Sequence, residues 1–569
     1  MNRHARHRLD TPLRLCDSGG SVPADSSEAT LAALAFDFAQ VPGVRPLAAA
    51  YAAGTPEIAP FFNGLPGDDD AWNAAVSAAR AAHPDRPVIE ALTAQLAGRG
   101  APNAAKEALA RLADPTTVAV VTGQQAGLFG GPLYTLLKAI TALRLARRLE
   151  ANRGVPAVAV FWVDADDHDL DEIRSCEVIG PDGQPAAVSI ALPPSAAGTP
   201  ASTVTLGNES NTLLDQLSAL LASTDFTESL LGKLRTAYGP GHGLVEGFAR
   251  WLEQLLGRHG LVVFDASDPA AKQHVADLFE REITTKGHTA VLASSAGEAL
   301  EAAGFHAQVT PKPNSLALFV TDGTRQAVRC DDDELLVGDT KLSREALLAR
   351  LATDLTAFGP NVLLRPLVQD RLFPTVCYVA GPNELAYLAQ LKDVYAHFDI
   401  PMPLVANRLT ATLVDTAVVK FLRRHEMSLA ELGRQDEAAL NQLLTNQLPA
   451  SVEQTLEIAG TNLKHQLDLV STAVATVDPT LKGAAGSTLG RMERELRNLQ
   501  SKVVQAAKRR DQTLRRQFQR AQSQLFPGGG AQERSLAGVY FLNKYGDALI
   551  DRLLNDPELD TDRHWIITI

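Results

Sequence analysis

Two short apolar runs restrict the architecture of this chain more than any other feature. Val118–Thr122 is apolar and β-branched, and Ala157–Val163 (AVAVFWV) repeats the pattern. Runs of this length with no alternating polar residue suit strands buried on both faces, as in a parallel sheet. Between them lie a glycine-rich turn, Gly123–Gly131, and a segment opened by Pro132 whose Leu133, Leu136, Leu137, Ile140, Leu143 and Leu145 mark one side of a helix ending near Asn152–Gly154. The crossover is long enough for parallel pairing, so the expected fold is α/β with a doubly wound, Rossmann-like sheet. In such sheets ligands bind beyond the carboxyl ends of the strands, which puts Gly123–Tyr134 and Asp164–Glu172 at the mouth of one site.

Further strands are predicted at Leu261–Phe264, Val362–Leu364 and Val376–Val379. The stretches between them differ in character and read as insertions. One carries a turn at Pro181-Asp182-Gly183 and then helices to about Leu256; another alternates short strands (Leu316–Val320, Gln326–Arg329, Glu334–Val337) with Asp-Gly turns. Residues 1–30 show no periodicity, and Ala32–Leu112 reads as helical, broken near Gly54–Pro66 and Gly98–Pro102. From Asp415 long helices dominate. Val452, Leu456, Ala459, Leu463, Leu467, Val470, Val474 and Val477, then Leu489, Met492, Leu496, Leu499, Val503 and Ala506 beyond Asp478-Pro479, give the seam of an antiparallel coiled-coil hairpin. Leu514, Phe518, Ala521 and Leu525 restore an apolar side before Pro527–Gly530 ends the arm.

A chain of 569 residues implies several structural units. Its net charge of −13 disfavours a whole-molecule role on nucleic acid or anionic lipid. Cys16, Cys176, Cys330 and Cys377 are too scattered for a zinc site or a disulfide framework. No run approaches the roughly 18 apolar residues of a membrane span and no apolar signal follows the N-terminus, so a cytoplasmic, unprocessed protein is expected.

The turn Gly123-Gln124-Gln125-Ala126-Gly127-Leu128-Phe129-Gly130-Gly131 matches neither the dinucleotide fingerprint nor the P-loop, yet glycines at a helix N-terminus let backbone N–H groups approach an anion. The second segment, Asp164-Ala165-Asp166-Asp167-His168-Asp169-Leu170-Asp171-Glu172, suits a substrate amine or a general base. It also suits a helix cap by Asp169 with Glu172 in the reciprocal position, leaving Asp167 and His168 aimed at the site. Without an HExxH pattern no dedicated metal is expected. Arg365 suits a bidentate pair with a carboxylate, beside Gln369 and Asp370, or else a structural ion pair; Gly381, Asn383 and Glu384 follow a strand and face the same end of the sheet. Tyr387 and Gln390 read as packing groups, and Cys377 as a buried hydrophobe.

The blocks GQQAGLFGGPLYTLLKAITA (123–142), VFWVDADDHDLDEI (160–173), GLVVFDASDP (260–269), NVLLRPLVQDRLFPTVCYVAGPNELAYLAQLKDVY (361–395), IPMPLVANRLTATLV (400–414) and QERSLAGVYFLNKYG (532–546) resemble the bacillithiol-biosynthesis cysteine-adding family, BshC. The resemblance implies a core like that of class I aminoacyl-tRNA synthetases and nucleotidyltransferases. The core is 31–176, 257–300 and 359–414, with connecting-peptide insertions at 177–256 and 301–358, a coiled-coil arm at 415–530 used for homodimerisation and a C-terminal segment at 531–569. The implied reaction joins cysteine to glucosaminyl-malate as an amide, with the carboxylate activated by ATP and magnesium and no tightly bound cofactor. Gln125, Asp167 and His168 are the implied catalytic residues; Gly123, Gln124, Gly127, Gly130, Tyr134, Asp169, Arg365, Gln369, Asp370, Gly381, Asn383, Glu384, Asn407 and Arg408 are implied to bind substrate. Gln124-Gln125 and Asn407–Thr410 stand where class I synthetases carry their signature motifs, and Asp166 and Leu170 depart from the family's usual glutamate and aromatic. A second anion or nucleotide pocket is read at Gln532, Arg534, Lys544 and Tyr545. The basic stretch Lys508–Arg520 allows an alternative, a synthetase-like RNA binder, but it lacks interleaved aromatics and reads better as a solvated coiled-coil face.

Overall fold

A computed structural model describes residues 33–331, 334–434, 436–446, 450–510 and 512–569, so the expected leader, 1–30, lies outside the described residues, as do the side chains of Lys508–Arg510. The chain forms two compact units, Thr30–Leu413 with Gly530–Ile569, and Val414–Gly529.

The first unit is built on a parallel sheet. Strand β1 (Val118–Gln125) leads through the glycine turn into helix α1 (Leu133–Arg153), capped by left-handed Gly154, and then into β2 (Ala157–Asp164). Strands β3 (Val262–Asp265), β4 (Thr375–Ala380) and β5 (Leu404–Asn407) complete the order β5-β4-β1-β2-β3, with every neighbour parallel. Both faces are buried, as the uninterrupted apolar runs require. Val118 and Val120 pack on the α1 side, while Ala119, Val121, Val160 and Trp162 pack against the helices Val88–Arg99 and Asn103–Leu112. The strand order reverses between β1 and β4, so the crevice beyond their carboxyl ends is the place where this topology admits a ligand.

The insertions take the forms read from the sequence. Ser175–Ile179 and Pro185–Ser189 make a hairpin around Pro181-Asp182-Gly183, and Ser315–Asp322, Thr324–Asp331 and Glu334–Val337 belong to a five-stranded antiparallel sheet. Two local expectations fail. Val362–Leu364 is a turn: the Asn361 side chain accepts the N–H groups of Leu363 and Leu364 and releases the chain into the helix Arg365–Leu372, while the strand is Phe358–Pro360. Ala33–Asp37, inside the stretch read as helical, is a strand paired with Arg563–Thr568. That partner lies at the far end of the chain, beyond any local signal.

In the second unit, α2 (Ala450–Val474) and α3 (Leu481–Arg510) form an antiparallel hairpin that turns at Asp478-Pro479. Gly460 and Leu496, equidistant from Asp478, face each other, and a Cβ on Gly460 would stand 3.5 Å from Leu496. Val452, Leu456, Leu463, Leu467 and Val474 line the inner side with Leu489, Leu496 and Val503. Ala459, Val470 and Val477 leave the predicted seam, where Gly460 and Ser471 stand instead, and Met492, Leu499 and Ala506 also point outward. Helix α4 (Gln512–Leu525) buries Leu514, Phe518, Ala521 and Leu525 as its pattern predicts.

Candidate active site

The carboxyl ends of β1, β2 and β4 bring together residues from distant parts of the sequence. At β1, Lys138 from the second turn of α1 reaches back to the carbonyl of Gly123 (2.8 Å) and to Gln124 Oε1 (3.0 Å). Its ammonium pairs with Glu384 Oε2 at 2.5 Å, across the point where strand order reverses. Glu384 is fixed from three sides: it accepts the Gly381 N–H (2.6 Å) and the Tyr378 and Tyr387 hydroxyls (3.1 and 3.5 Å). Burial pushes its carboxyl up, but Lys138 and the Gly381 N–H prevail and hold it below the usual range. A Cβ at Gly381 would come within 3.1 Å of the Glu384 carboxylate and press on this contact.

A second cluster forms between β1 and β2, whose register pairs Gln125 with Asp164. Gln125 donates to Asp167 Oδ2 at 2.5 Å, and the other carboxylate oxygen accepts the N–H groups of His168 (2.7 Å) and Asp169 (3.3 Å). Arg325, from the antiparallel sheet, adds a cation 3.8 Å from Asp167 and 3.3 Å from His168 Nδ1, and is anchored by the Pro360 carbonyl and the Phe319 ring. Although burial raises Asp167, the hydrogen bonds and Arg325 draw its carboxyl below the ordinary value. Gln125, Asp167 and His168 are thus brought together. The predicted cap is not formed: Asp169 occupies the N-cap position before Leu170–Ile173 without a side-chain bond, and its own N–H is held by Asp167.

Asp164 completes this cluster. Burial raises its carboxyl to about 6, with Arg365 4.0 Å away opposing the shift. It also lines a small enclosed cavity with Asp166, Lys272 and Trp162, whose indole N–H has no partner among the described residues. Asp166 pairs with Lys272 at 3.1 Å.

Other predicted site residues are placed differently. The N–H groups of Gly127, Gly130 and Gly131 are spent on the carbonyls of Gln125, Gly127 and Leu128, and that of Leu133 on Leu536, so the glycine turn offers these amides to its own backbone and not to an anion. Its glycines serve packing. Gly130 has φ +93°, and a Cβ would stand 2.5 Å from Trp251 Nε1. Gln369 and Asp370 are buried and bonded to each other, with Asp370 also accepting from Tyr395 at 2.5 Å; burial raises Asp370 to about 6. Arg365 donates to Gln369 and Tyr387. Asn383 is exposed at the start of Glu384–Leu388. Arg408 is bound bidentately by Glu533 (2.9 and 2.6 Å). Asn407 is buried and lines a separate cavity, with the Asp562 side chain beside its own.

The proposed C-terminal pocket divides. Gln532 is spent on both backbone groups of Leu413 (2.7 Å each), and Lys544 lies against the rings of Tyr540 and Tyr545. Arg534 instead lies 5.6 Å from the Tyr134 ring, as does Arg408, and Tyr134 accepts from Gln124 at 3.2 Å. Arg534 thereby joins the main site.

Sequence reasoning placed Asp164 only as one member of the acidic segment at the site's mouth, and it missed Lys138 and Arg325 as site residues and Glu533 as the partner of Arg408. Lys138 had a signal, a lone cation in the apolar run Leu136–Ala142, where burial demands a partner. Arg325 had none, since only tertiary folding carries its hairpin to Asp167.

Residues 34–409 match the family described as bacillithiol biosynthesis BshC, N-terminal Rossmann-like domain, and residues 411–569 its C-terminal coiled-coil domain. A protein of Salinibacter ruber is 34% identical over 90% of this chain and 94% of its own length; one of Koribacter versatilis is 34% identical over 77% and 81%; one of Chlorobaculum tepidum is 31% identical over 85% and 88%. Each carries the name "Putative cysteine ligase BshC".

Proposed function

The chain belongs to the bacillithiol biosynthesis BshC family, and on that premise we propose that it is a ligase joining the carboxyl group of cysteine to the amine of glucosaminyl-malate through an amide bond. The observation that carries the reading is the assembly of Gln125, Asp164, Asp167 and Arg325 beside the Lys138–Glu384 pair, at the one crevice where this topology admits a ligand.

In the reaction the amine nitrogen bonds to the cysteine carboxyl carbon, a carboxyl oxygen departs, and the amine gives up a proton. Asp164 is the better acceptor for that proton. Its carboxyl, raised to about 6, is basic near neutrality and has only a distant cation, whereas Asp167 is acidic and its lone pairs are taken by Gln125 and two backbone amides. Asp167 and His168 are assigned to orienting the substrate amine, with Arg325 fixing their positions. Arg365 is placed to meet a substrate carboxylate beside Asp164.

Amide formation from a free carboxylate is uphill in water, so activation is required, and bound ATP with magnesium would supply it. The glycine turn suits a triphosphate poorly, because the N–H groups of Gly127, Gly130 and Gly131 are committed to backbone carbonyls. Arg534 suits one: it is exposed, lies against Tyr134 and has no carboxylate partner among the described residues. The arm is assigned to homodimerisation, since Leu469, Val470, Met492 and Leu499 leave apolar surface uncovered within the hairpin.

The test is steady-state turnover of Gln125→Ala, Asp167→Ala and His168→Ala, each checked for native circular dichroism. Loss of thiol product in all three is expected. Near-normal turnover in all three would remove the assignment.

A further inference from the structure

The enclosed cavity lined by Asp164 has a volume of about 20 Å³. That is somewhat more than the roughly 10–15 Å³ that one water-sized group requires. Asp164 and Arg365 belong both to its wall and to the crevice at the strand ends, so the cavity is a recess of the site already described. Most of its lining is apolar. Ala271, Val275, Phe279, Val368 and Leu372 contribute, and all five are buried.

Trp162 and Asp164, two residues apart on β2, point to the same face of the sheet. The indole is held between the Phe264 ring, 5.2 Å away between centroids, and the Gly123 backbone, where a Cβ would stand 3.4 Å from Trp162 Cδ1. Trp162 is 2% exposed, yet its indole N–H has no hydrogen-bond partner among the described residues. Native structures leave few buried donors unpaired, because the lost hydration is not repaid. The neighbouring polar groups are engaged. Lys272 donates to the carbonyls of Thr356 (3.3 Å) and Phe358 (3.2 Å) and pairs with Asp166, while Asp164 and Arg365 lie 4.0 Å apart at the edge shared with the crevice.

An occupant of this recess must be a single heavy-atom group, somewhat larger than a hydroxyl, largely apolar and able to accept from one N–H. A thiol meets each condition. It behaves as a small hydrophobe, and its sulfur is a weak acceptor. A hydroxyl fills less of the space and loses more hydration on entering apolar walls, and a methyl leaves the indole unpaired. We propose that the recess is the side-chain pocket that selects cysteine, with the thiol sulfur against Trp162 Nε1 and the amino-acid carboxylate on Arg365, so that the carboxyl carbon lies beside Asp164. Resting on the ligase reading, this assignment makes Trp162 a specificity-determining residue and identifies the carboxylate met by Arg365 as that of the amino acid.

The probes are L-cysteine, L-serine, L-2-aminobutyrate, in which a methyl replaces the thiol, and glycine. Each is titrated under reducing conditions against the full-length protein and followed by ligand-observed saturation-transfer NMR, with no second substrate present. Cysteine is expected to bind about tenfold more tightly than serine. Trp162→Phe, which keeps a buried ring and removes the N–H, should weaken cysteine about three- to tenfold, the scale of one neutral hydrogen bond, and leave 2-aminobutyrate unchanged. Ala271→Val, which fills the recess, should weaken both and spare glycine. Because binding is read without turnover, a protein that selects cysteine in this way but forms no amide keeps the pocket and loses only the ligase reading. Equal affinity for cysteine and serine, as an ordered water in the recess would give, unchanged cysteine binding in both variants, or no saturable binding of cysteine would each overturn the pocket.

Discussion

Asp164 and the Lys138–Glu384 pair show how much of this chain's chemistry is decided by burial. With its carboxyl raised to about 6, Asp164 is protonated and inactive as a base below that pH and ionised above it. Accordingly kcat/KM for ligation should rise with pH through about 6 and then level, and Asp164→Asn should lose both the rate and that limb; a pH–rate profile of both proteins checks it. For Lys138, 2% exposed at its side chain, truncation to Met leaves Glu384 facing Gly381 without its cation. A loss of roughly 3 kcal/mol is expected in urea denaturation. The double variant Lys138→Met/Glu384→Gln should recover much of it, because the uncompensated charge is gone. At this scale the sequence was partly legible. Gln125, Asp167, His168 and Glu384 stood in readable motifs; Asp164 stood among them as the first of a run of acids, and what sets it apart from Asp167 showed only once its burial was known.

The secondary-structure elements divide along similar physical lines. β1, α1 and β2 were legible because a doubly buried strand and a long apolar helix side leave few alternatives. The glycine turn was legible as a turn but not in its purpose, since the sequence does not say whether its amides face a ligand or their own carbonyls. Asn361 converted an apolar triplet into a turn, and Ala33–Asp37 became a strand only through residues at the other end of the chain. The packing role of the turn makes a direct prediction. Gly130→Ala combines an unfavourable positive φ with a Cβ driven against the Trp251 indole. It should cost about 1–3 kcal/mol, read as a lowered denaturation midpoint. A variant as stable as the parent would mean that the turn is not held as described.

Across the whole molecule the two-part division followed from composition. The Rossmann-like unit and the helical arm differ in periodicity, and the arm's uncovered apolar residues could not be assigned until the inner seam was seen to use Gly460 and Ser471 in place of Ala459 and Val470. Those outward residues make the dimer prediction specific: Leu469→Lys with Leu499→Glu should convert a dimer to a monomer in light scattering without changing helical content, whereas an unchanged mass would place the interface elsewhere. The claim that unites the site with the family is the ligation itself. Its most direct test is mass-spectrometric product detection with purified protein, cysteine, glucosaminyl-malate, ATP and magnesium, scoring thiol product and nucleotide together. The account predicts bacillithiol formed in step with AMP or ADP and none without nucleotide; a folded protein that yields no bacillithiol under these conditions would contradict it.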